Sequence, residues 1–149
     1  MLLDLESILN EWKDDCQIPQ HQLDETQRNT PKLHAKYLQY LSLTKLNLKR
    51  AEHAQHNLLK DKWLYYNGKM DEQTLRSKGW NFDPFDGLKV MKGDMNYYYD
   101  SDPEIQKSEE KIAYLKTIIE TLTEIIDNLK WRHQTIKNIL EYRKFESGA

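Results

Sequence analysis

A run of lysines and aromatic residues just before an Asn-Gly turn is the part of this sequence best suited to binding chemistry. Lysine neutralises phosphates and releases counterions, and aromatic rings offer stacking platforms for unpaired bases. The cationic and aromatic candidates for such a surface are Lys49, Arg50, Lys60, Lys62, Tyr65, Tyr66 and Lys69. The segment therefore suits a single-stranded nucleic acid. An amphipathic helix in which Trp63 and Tyr66 are core residues explains the same pattern equally well.

Enzyme signatures do not accompany this run. The sequence has no Gly-rich phosphate loop, no Gly-x-Ser-x-Gly elbow, no His-Glu-x-x-His helix and no paired-cysteine spacing. His53 and His56 lie one helical turn apart beside Glu52, but two histidines without a third or fourth ligand are a weak metal site. We therefore expect a protein without catalytic activity, metal or cofactor.

Charge is distributed unevenly along the chain. Of its 149 residues, 38% are hydrophobic and 31% are charged, with a net charge of -2 and a mean hydropathy of -0.89. That mix is typical of long helices with solvated faces. Residues 1–27 hold seven acidic residues and one lysine, whereas residues 45–69 hold six basic residues and two acidic ones. The basic sector keeps nucleic acids among the candidate partners despite the negative total.

Nothing in the sequence indicates a membrane or a secretory route. The longest apolar runs are two or three residues, far short of the roughly 20 that a bilayer span requires. The N-terminus lacks the basic and apolar regions of a secretory signal. Cys16 is the single cysteine, so the chain has no intrachain disulfide. We expect a cytosolic protein that does not associate with membranes.

Glycine and proline leave two long windows free of helix breakers, residues 32–67 and 104–147. Thr30-Pro31 and Asp102-Pro103 are typical helix starts, since the first residue caps the helix and proline fits its first turn. Gly68 and Gly148 are matching stops. The sequence thus predicts an all-α protein with two long helices, preceded by a short amphipathic helix around Leu5–Trp12.

Residues 68–103, between the two windows, are predicted to form an irregular arm rich in aromatic residues. Trp80, Phe82, Phe85 and the run Tyr97-Tyr98-Tyr99 either present a contact surface or pin the arm onto neighbouring helices, and we favour pinning. The stretch Met91–Tyr99 is also compatible with a short strand.

The second window carries a heptad pattern of apolar residues, with isoleucine at a, leucine at d and one histidine. The positions that follow it are Ile112, Leu115, Ile119, Leu122, Ile126, Leu129, His133, Ile136 and Leu140. Ile118, Ile125 and Ile139 widen the stripe. The seam packs either against residues 33–66 of the same chain or against other copies, and we favour other copies. Residues 1–103 would then carry the binding functions and residues 104–149 the oligomerisation helix.

Two stretches resemble a known family. The segment Lys60-x-Lys62-x-x-Tyr65-Tyr66-Asn67-Gly68 resembles the Lys-x-Arg-x-x-Tyr-Tyr-Ser-Gly motif of the UvsY recombination mediator family of T-even-like bacteriophages. The C-terminus is similar to that family's ending in the order and spacing of Lys130-x-Arg132 and of Arg143-x-Phe145-Glu146-Ser147-Gly148. Chain length and helix layout match as well. Lys62 stands where relatives have arginine, which keeps the charge but loses the bidentate fork.

The resemblance implies a non-enzymatic, ring-forming protein that binds single-stranded DNA in the cytoplasm of the infected bacterial host. Such a protein helps a RecA-like recombinase replace the phage single-strand-binding protein. By position in the motif, Lys60 and Lys62 would contact phosphates, with Tyr65 and Tyr66 beside them, and the C-terminal helix would build the ring. A ring presents a weak patch several times to one strand, which raises avidity. The alternative is a coiled-coil scaffold whose basic patches bind acidic partners.

Overall fold

The computed structural model describes residues 3–148, which form six α-helices, one 3-10 turn and no strand. The all-α prediction is therefore confirmed for these residues. The elements in chain order are α1 (Leu5–Asp15), α2 (Leu23–Tyr66), α3 (Glu72–Lys78), the 3-10 turn (Lys92–Asp94), α4 (Met95–Asp100), α5 (Pro103–Lys130) and α6 (Arg132–Glu146). In the described part of the chain, no helix is both long and apolar enough to pass through a bilayer.

Helix α2 starts earlier than the sequence predicts. It begins at Leu23 and continues through Pro31, so the expected N-cap at Thr30 is wrong. The Thr30 hydroxyl instead donates to the Thr26 carbonyl, a bond made inside the helix. The predicted stop is confirmed, because Gly68 adopts a φ of 68° and the Lys69 amide closes the last turn onto the Leu64 carbonyl at 2.8 Å.

The second long helix is interrupted. Its start is confirmed, since Asp102 Oδ1 accepts from the amide of Ile105 at 3.1 Å, as an N-cap does. The expected continuous helix over 104–147 is wrong, however, because α5 ends at Lys130 and α6 begins at Arg132. The break coincides with the burial of Arg132, whose Nη2 donates to the carbonyls of Asp15 and Gln17 at 2.9 Å each. No glycine or proline marks this position.

One compact unit comprises residues up to 47 together with residues from 115 onward. Its core consists of Ile8, Tyr37, Ile118, Leu122, Ile125, Ile126 and Leu129. Ile118 and Ile125 are therefore buried within the chain, and the expectation that other copies cover this extra stripe is wrong for them. The stripe is wide because it packs against both α1 and α2 of the same chain.

The second compact unit, Leu48–Tyr114, contains the arm. The arm is not irregular throughout, since it forms α3, the 3-10 turn and α4, and the suggested strand over Met91–Tyr99 is wrong. Consecutive tyrosines at 97–99 lie on a short helix that packs two of them inward. Pinning is confirmed for the aromatic residues that pack on the Tyr65, Tyr66 and Leu75 cluster, which are Trp80, Phe85, Tyr98 and Tyr99. Phe82 and Tyr97 are exposed.

The two units divide the chain differently from the predicted segments 1–103 and 104–149. Helix α2 contributes to both units, and so does α5. A functional division at residue 103 therefore stays a prediction about activity and does not describe how the chain packs.

Candidate nucleic-acid interface

The end of α2 carries the predicted binding residues on two different faces. At 3.6 residues per turn, Lys60 and Lys62 point about 160° apart around the helix axis. The structure accordingly leaves Lys60 exposed and buries Lys62, Tyr65 and Tyr66. The motif is thus divided between a solvent-facing surface and the core of the second unit.

Lys62 is held by two carboxylates under an indole ring. Its side chain is only 4% exposed, and its Nζ lies 3.0 Å from Asp102 Oδ2 and 3.4 Å from Glu104 Oε1. The same Nζ lies 3.9 Å from the centre of the Trp80 ring, a cation–π distance. Its charge is therefore compensated within the chain.

Both tyrosines of the motif have structural partners. The Tyr66 hydroxyl donates to Asp102 Oδ2 at 2.7 Å, and the Tyr65 hydroxyl donates to the Asn81 carbonyl at 2.8 Å. Burial raises the pKa of both hydroxyls, and the hydrogen bond to Asp102 raises that of Tyr66 further. The alternative prediction, that Tyr66 is a core residue, is thus confirmed. Direct DNA contact by Lys62, Tyr65 and Tyr66 stays a prediction.

Asp102 is the central acceptor of this buried cluster. The sequence predicted it only as the N-cap of a helix. Its side chain accepts from Tyr66 and from the amides of Glu104 and Ile105, and it pairs with Lys62. Burial acts to raise the pKa of the carboxyl, but the hydrogen bonds from Tyr66 and Lys62 outweigh it and hold the pKa below its usual value. Asp102 is therefore ionised at neutral pH.

The solvent-facing side of α2 carries an exposed row. Its members recur at spacings of four and three residues and so share one helix face: they are Lys49, His53, His56, Lys60 and Trp63, and we call them the cationic row. Lys49 also lies 3.8 Å from Glu52, an exposed pair that contributes little stability. Arg50 is exposed one position away from the row.

Trp63 belongs to the predicted run of lysines and aromatic residues but was not chosen as one of its candidate contacts. Its side chain is 47% exposed, and Lys69 Nζ lies 4.6 Å from its ring centre. The suggestion that Trp63 is a core residue is therefore wrong. Among the described residues, this pair gives the row an aromatic platform next to a cation, which is the combination that stacking on unpaired bases requires.

A family model described as "Recombination, repair and ssDNA binding protein UvsY" matches residues 11–149 of the chain. The chain belongs to the UvsY family. The recombination protein UvsY of enterobacteria phage T4 is 26% identical over 144 residues, which cover 97% of this chain and 98% of the phage protein.

Crystal structures of the T4 UvsY recombination mediator have the same fold. The lattice type II structure has a TM-score of 0.80 at 25% identity and covers 98% of this chain and 99% of its own. The lattice type IV structure has a TM-score of 0.77 at 23% identity, covering 97% and 99%. The resemblance inferred from the two short motifs is confirmed. The UvsY family description names recombination, repair and single-stranded DNA binding and no catalysed reaction.

The predicted oligomerisation positions of this UvsY-family chain are mostly internal. Six of them are buried within the chain, Ile119 is half-buried, and His133 and Leu140 are exposed; the six are Ile112, Leu115, Leu122, Ile126, Leu129 and Ile136. The exposed apolar groups near the C-terminus are instead Trp131, Leu140, Tyr142 and Phe145. Oligomerisation through the seam stays a prediction, and these exposed groups are the better candidates.

Proposed function

We propose that this chain is a recombination mediator that binds single-stranded DNA and helps to load a RecA-like phage recombinase by displacing the single-strand-binding protein. The observation that carries the proposal is the cationic row of α2, with Lys69 placed over the exposed ring of Trp63. Lysines on one helix face neutralise phosphates of one strand, and Trp63 offers a ring on which any base can stack. The work is done in the cytoplasm of the infected host.

Self-association is part of the proposed mechanism. One cationic row offers only a few phosphate contacts, so a single copy binds weakly at physiological salt. Several rows on one ring engage the same strand, and the linked contacts raise avidity by orders of magnitude. Exposed Trp131, Tyr142 and Phe145 support such an assembly, because burying their apolar surface against another copy is favourable.

A handover assay tests the mediator role. Single-stranded DNA is first coated with the phage single-strand-binding protein, and the lag before the recombinase becomes active as an ATPase is measured. We expect this protein to shorten the lag, and the Lys60→Ala/Lys69→Ala variant to lose most of that effect. The matched control is Lys111→Ala/Lys116→Ala, which removes two exposed lysines from α5. If the protein bound DNA tightly but did not change the lag, the mediator role would be overturned while the proposed DNA binding would stand.

A further inference from the structure

The two carboxylates around Lys62 are held very differently. Asp102 is 3% exposed in its side chain and is fixed by Tyr66 and by two backbone amides at the start of α5. Releasing it would leave a buried charge without its partners, which is strongly unfavourable. Asp102 is thus a permanent part of the core.

Glu104, the second carboxylate beside Lys62, is held loosely enough to be replaced by another anion. Its side chain is 50% exposed, and its contact with Lys62 is the longer of the two, at 3.4 Å. The same oxygen, Oε1, accepts from the indole Nε1 of Trp80 at 2.6 Å. Both donors therefore converge on one carboxylate oxygen of a half-exposed side chain. Because the Glu104 side chain is already half in water, it is the more easily replaced of the two partners of Lys62.

We propose that Lys62 Nζ and Trp80 Nε1 form a subsite for a phosphodiester oxygen, which Glu104 occupies in the absence of DNA and vacates when a strand binds. Phosphate and carboxylate oxygens are both anionic acceptors for these two donors. The exchange needs only the Glu104 side chain to swing into solvent, while Asp102 and both tyrosines stay in place. Lys62 thus contacts DNA without leaving the core.

The neighbouring cavity is a poorer place for the phosphate. It has a volume of about 290 Å³ and is lined by Lys62, Tyr65, Tyr66, Trp80, Asp86 and Asp102. Two carboxylates in that lining repel an anion, whereas at the position of Glu104 the displaced group takes its own negative charge away. The phosphate therefore belongs where Glu104 now lies.

Binding measurements on Glu104→Gln test the exchange, which rests on the proposed DNA binding. Glutamine still accepts from Trp80 but no longer competes as an anion for Lys62. We expect the affinity for a fluorescent oligo(dT) to rise about two- to fivefold, in keeping with the strength of a partly exposed ion pair. The matched control is Glu109→Gln, which removes one charge at an exposed site on the same helix, and its change should stay below twofold. Equal affinities of the two variants would overturn the inference.

A spectroscopic readout follows the Trp80 donor directly. The protein is labelled with 5-fluorotryptophan, and its four tryptophan signals are assigned with single Trp→Phe variants. We expect the ¹⁹F signal of Trp80 to shift when DNA is added, because its acceptor changes, and that of Trp12 in the first unit to stay in place. A static Trp80 signal in protein that demonstrably binds DNA refutes the exchange alone. Absence of DNA binding by the unmodified protein refutes the proposed function as well.

Discussion

Lys60 and Lys62 stand two positions apart in the same motif, yet the chain uses them in different ways. Lys60 belongs to the exposed cationic row, whereas Lys62 closes a cluster with Asp102, Glu104 and Trp80. If both lysines were replaced and DNA binding were lost, the loss could come either from the missing Lys60 contact or from a destabilised core around Lys62. The two residues must be changed separately.

Replacing Lys62 by alanine should destabilise the protein by about 3–5 kcal/mol, because it leaves Asp102 buried without its counter-ion. Lys60→Ala, at an exposed site, should stay within about 0.5 kcal/mol of the parent. Urea unfolding followed by circular dichroism measures both. Equal stabilities of the two variants would show that the Lys62–Asp102 pair contributes little to the free energy of unfolding.

Asp102 should also make the fold sensitive to acid. Its pKa is lowered in the folded protein below the 3.8 of an unperturbed aspartate, so the unfolded state binds more protons as pH falls through that value. The stabilisation is complete above that value and is lost as pH falls through the folded pKa. We expect the free energy of unfolding to drop between about pH 5 and pH 2, and to drop less in Asp102→Asn. Parallel pH profiles of the two proteins would contradict this assignment.

At the residue level, the sequence identified the motif but not which of its members are exposed. The carboxylates that bury Lys62 lie about 40 residues further along the chain, in a segment assigned only a helix start. No local pattern encodes that pairing. The exposure of Trp63, by contrast, follows from its spacing of three from Lys60, and a helical-wheel reading of the exposed lysines would have found it.

At the level of elements, the distribution of glycine and proline predicted the long helices well. It did not predict the helix ends that depend on side-chain contacts. Pro31 is tolerated inside α2, while the break between α5 and α6 arises without a breaker, next to buried Arg132. A contact between Arg132 and carbonyls more than a hundred residues away is invisible to local propensity.

Arg132 connects α6 to the last residue of α1 and to Gln17 just after it. Arg132→Met, which keeps the aliphatic volume but removes both hydrogen bonds that Nη2 donates, should cost about 1.5–3 kcal/mol, the range for hydrogen bonds to charged groups. Thermal and urea unfolding provide the measurement. Lys130→Met serves as the control, because its pair with Asp127 is exposed and long at 3.7 Å, and it should change stability by less than about 0.5 kcal/mol. An Arg132 variant as stable as this control would show that these two hydrogen bonds do not stabilise the fold.

At the level of the whole molecule, the all-α class followed from composition and periodicity. The sequence did not predict what the C-terminal seam packs against, because an apolar stripe has the same pattern whether it packs within a chain or between chains. Burial of Ile118, Leu122 and Ile125 in the first unit shows that much of the stripe serves the chain itself. The assembly surface must then lie among groups that remain exposed.

Tyr142 and Phe145, one turn apart on α6, are the exposed aromatic groups with which to test assembly. The Tyr142→Ser/Phe145→Ser variant should sediment as a smaller species and lose at least tenfold in DNA affinity, since avidity disappears with the ring. Phe82→Ser is the control, because Phe82 is at least as exposed as either residue but lies in the arm. Unchanged sedimentation of the double variant would exclude this surface.

The central claim is that the solvent-facing lysines at the end of α2 and in the turn after it bind single-stranded DNA, and fluorescence anisotropy with oligo(dT) at two salt concentrations tests it most directly. The account predicts that Lys60→Ala/Lys69→Ala binds at least tenfold more weakly than Lys111→Ala/Lys116→Ala. It also predicts a salt dependence that is shallower by about 0.7 in the log–log slope for each lost contact. Equal affinity and equal slope for the two variants would contradict it.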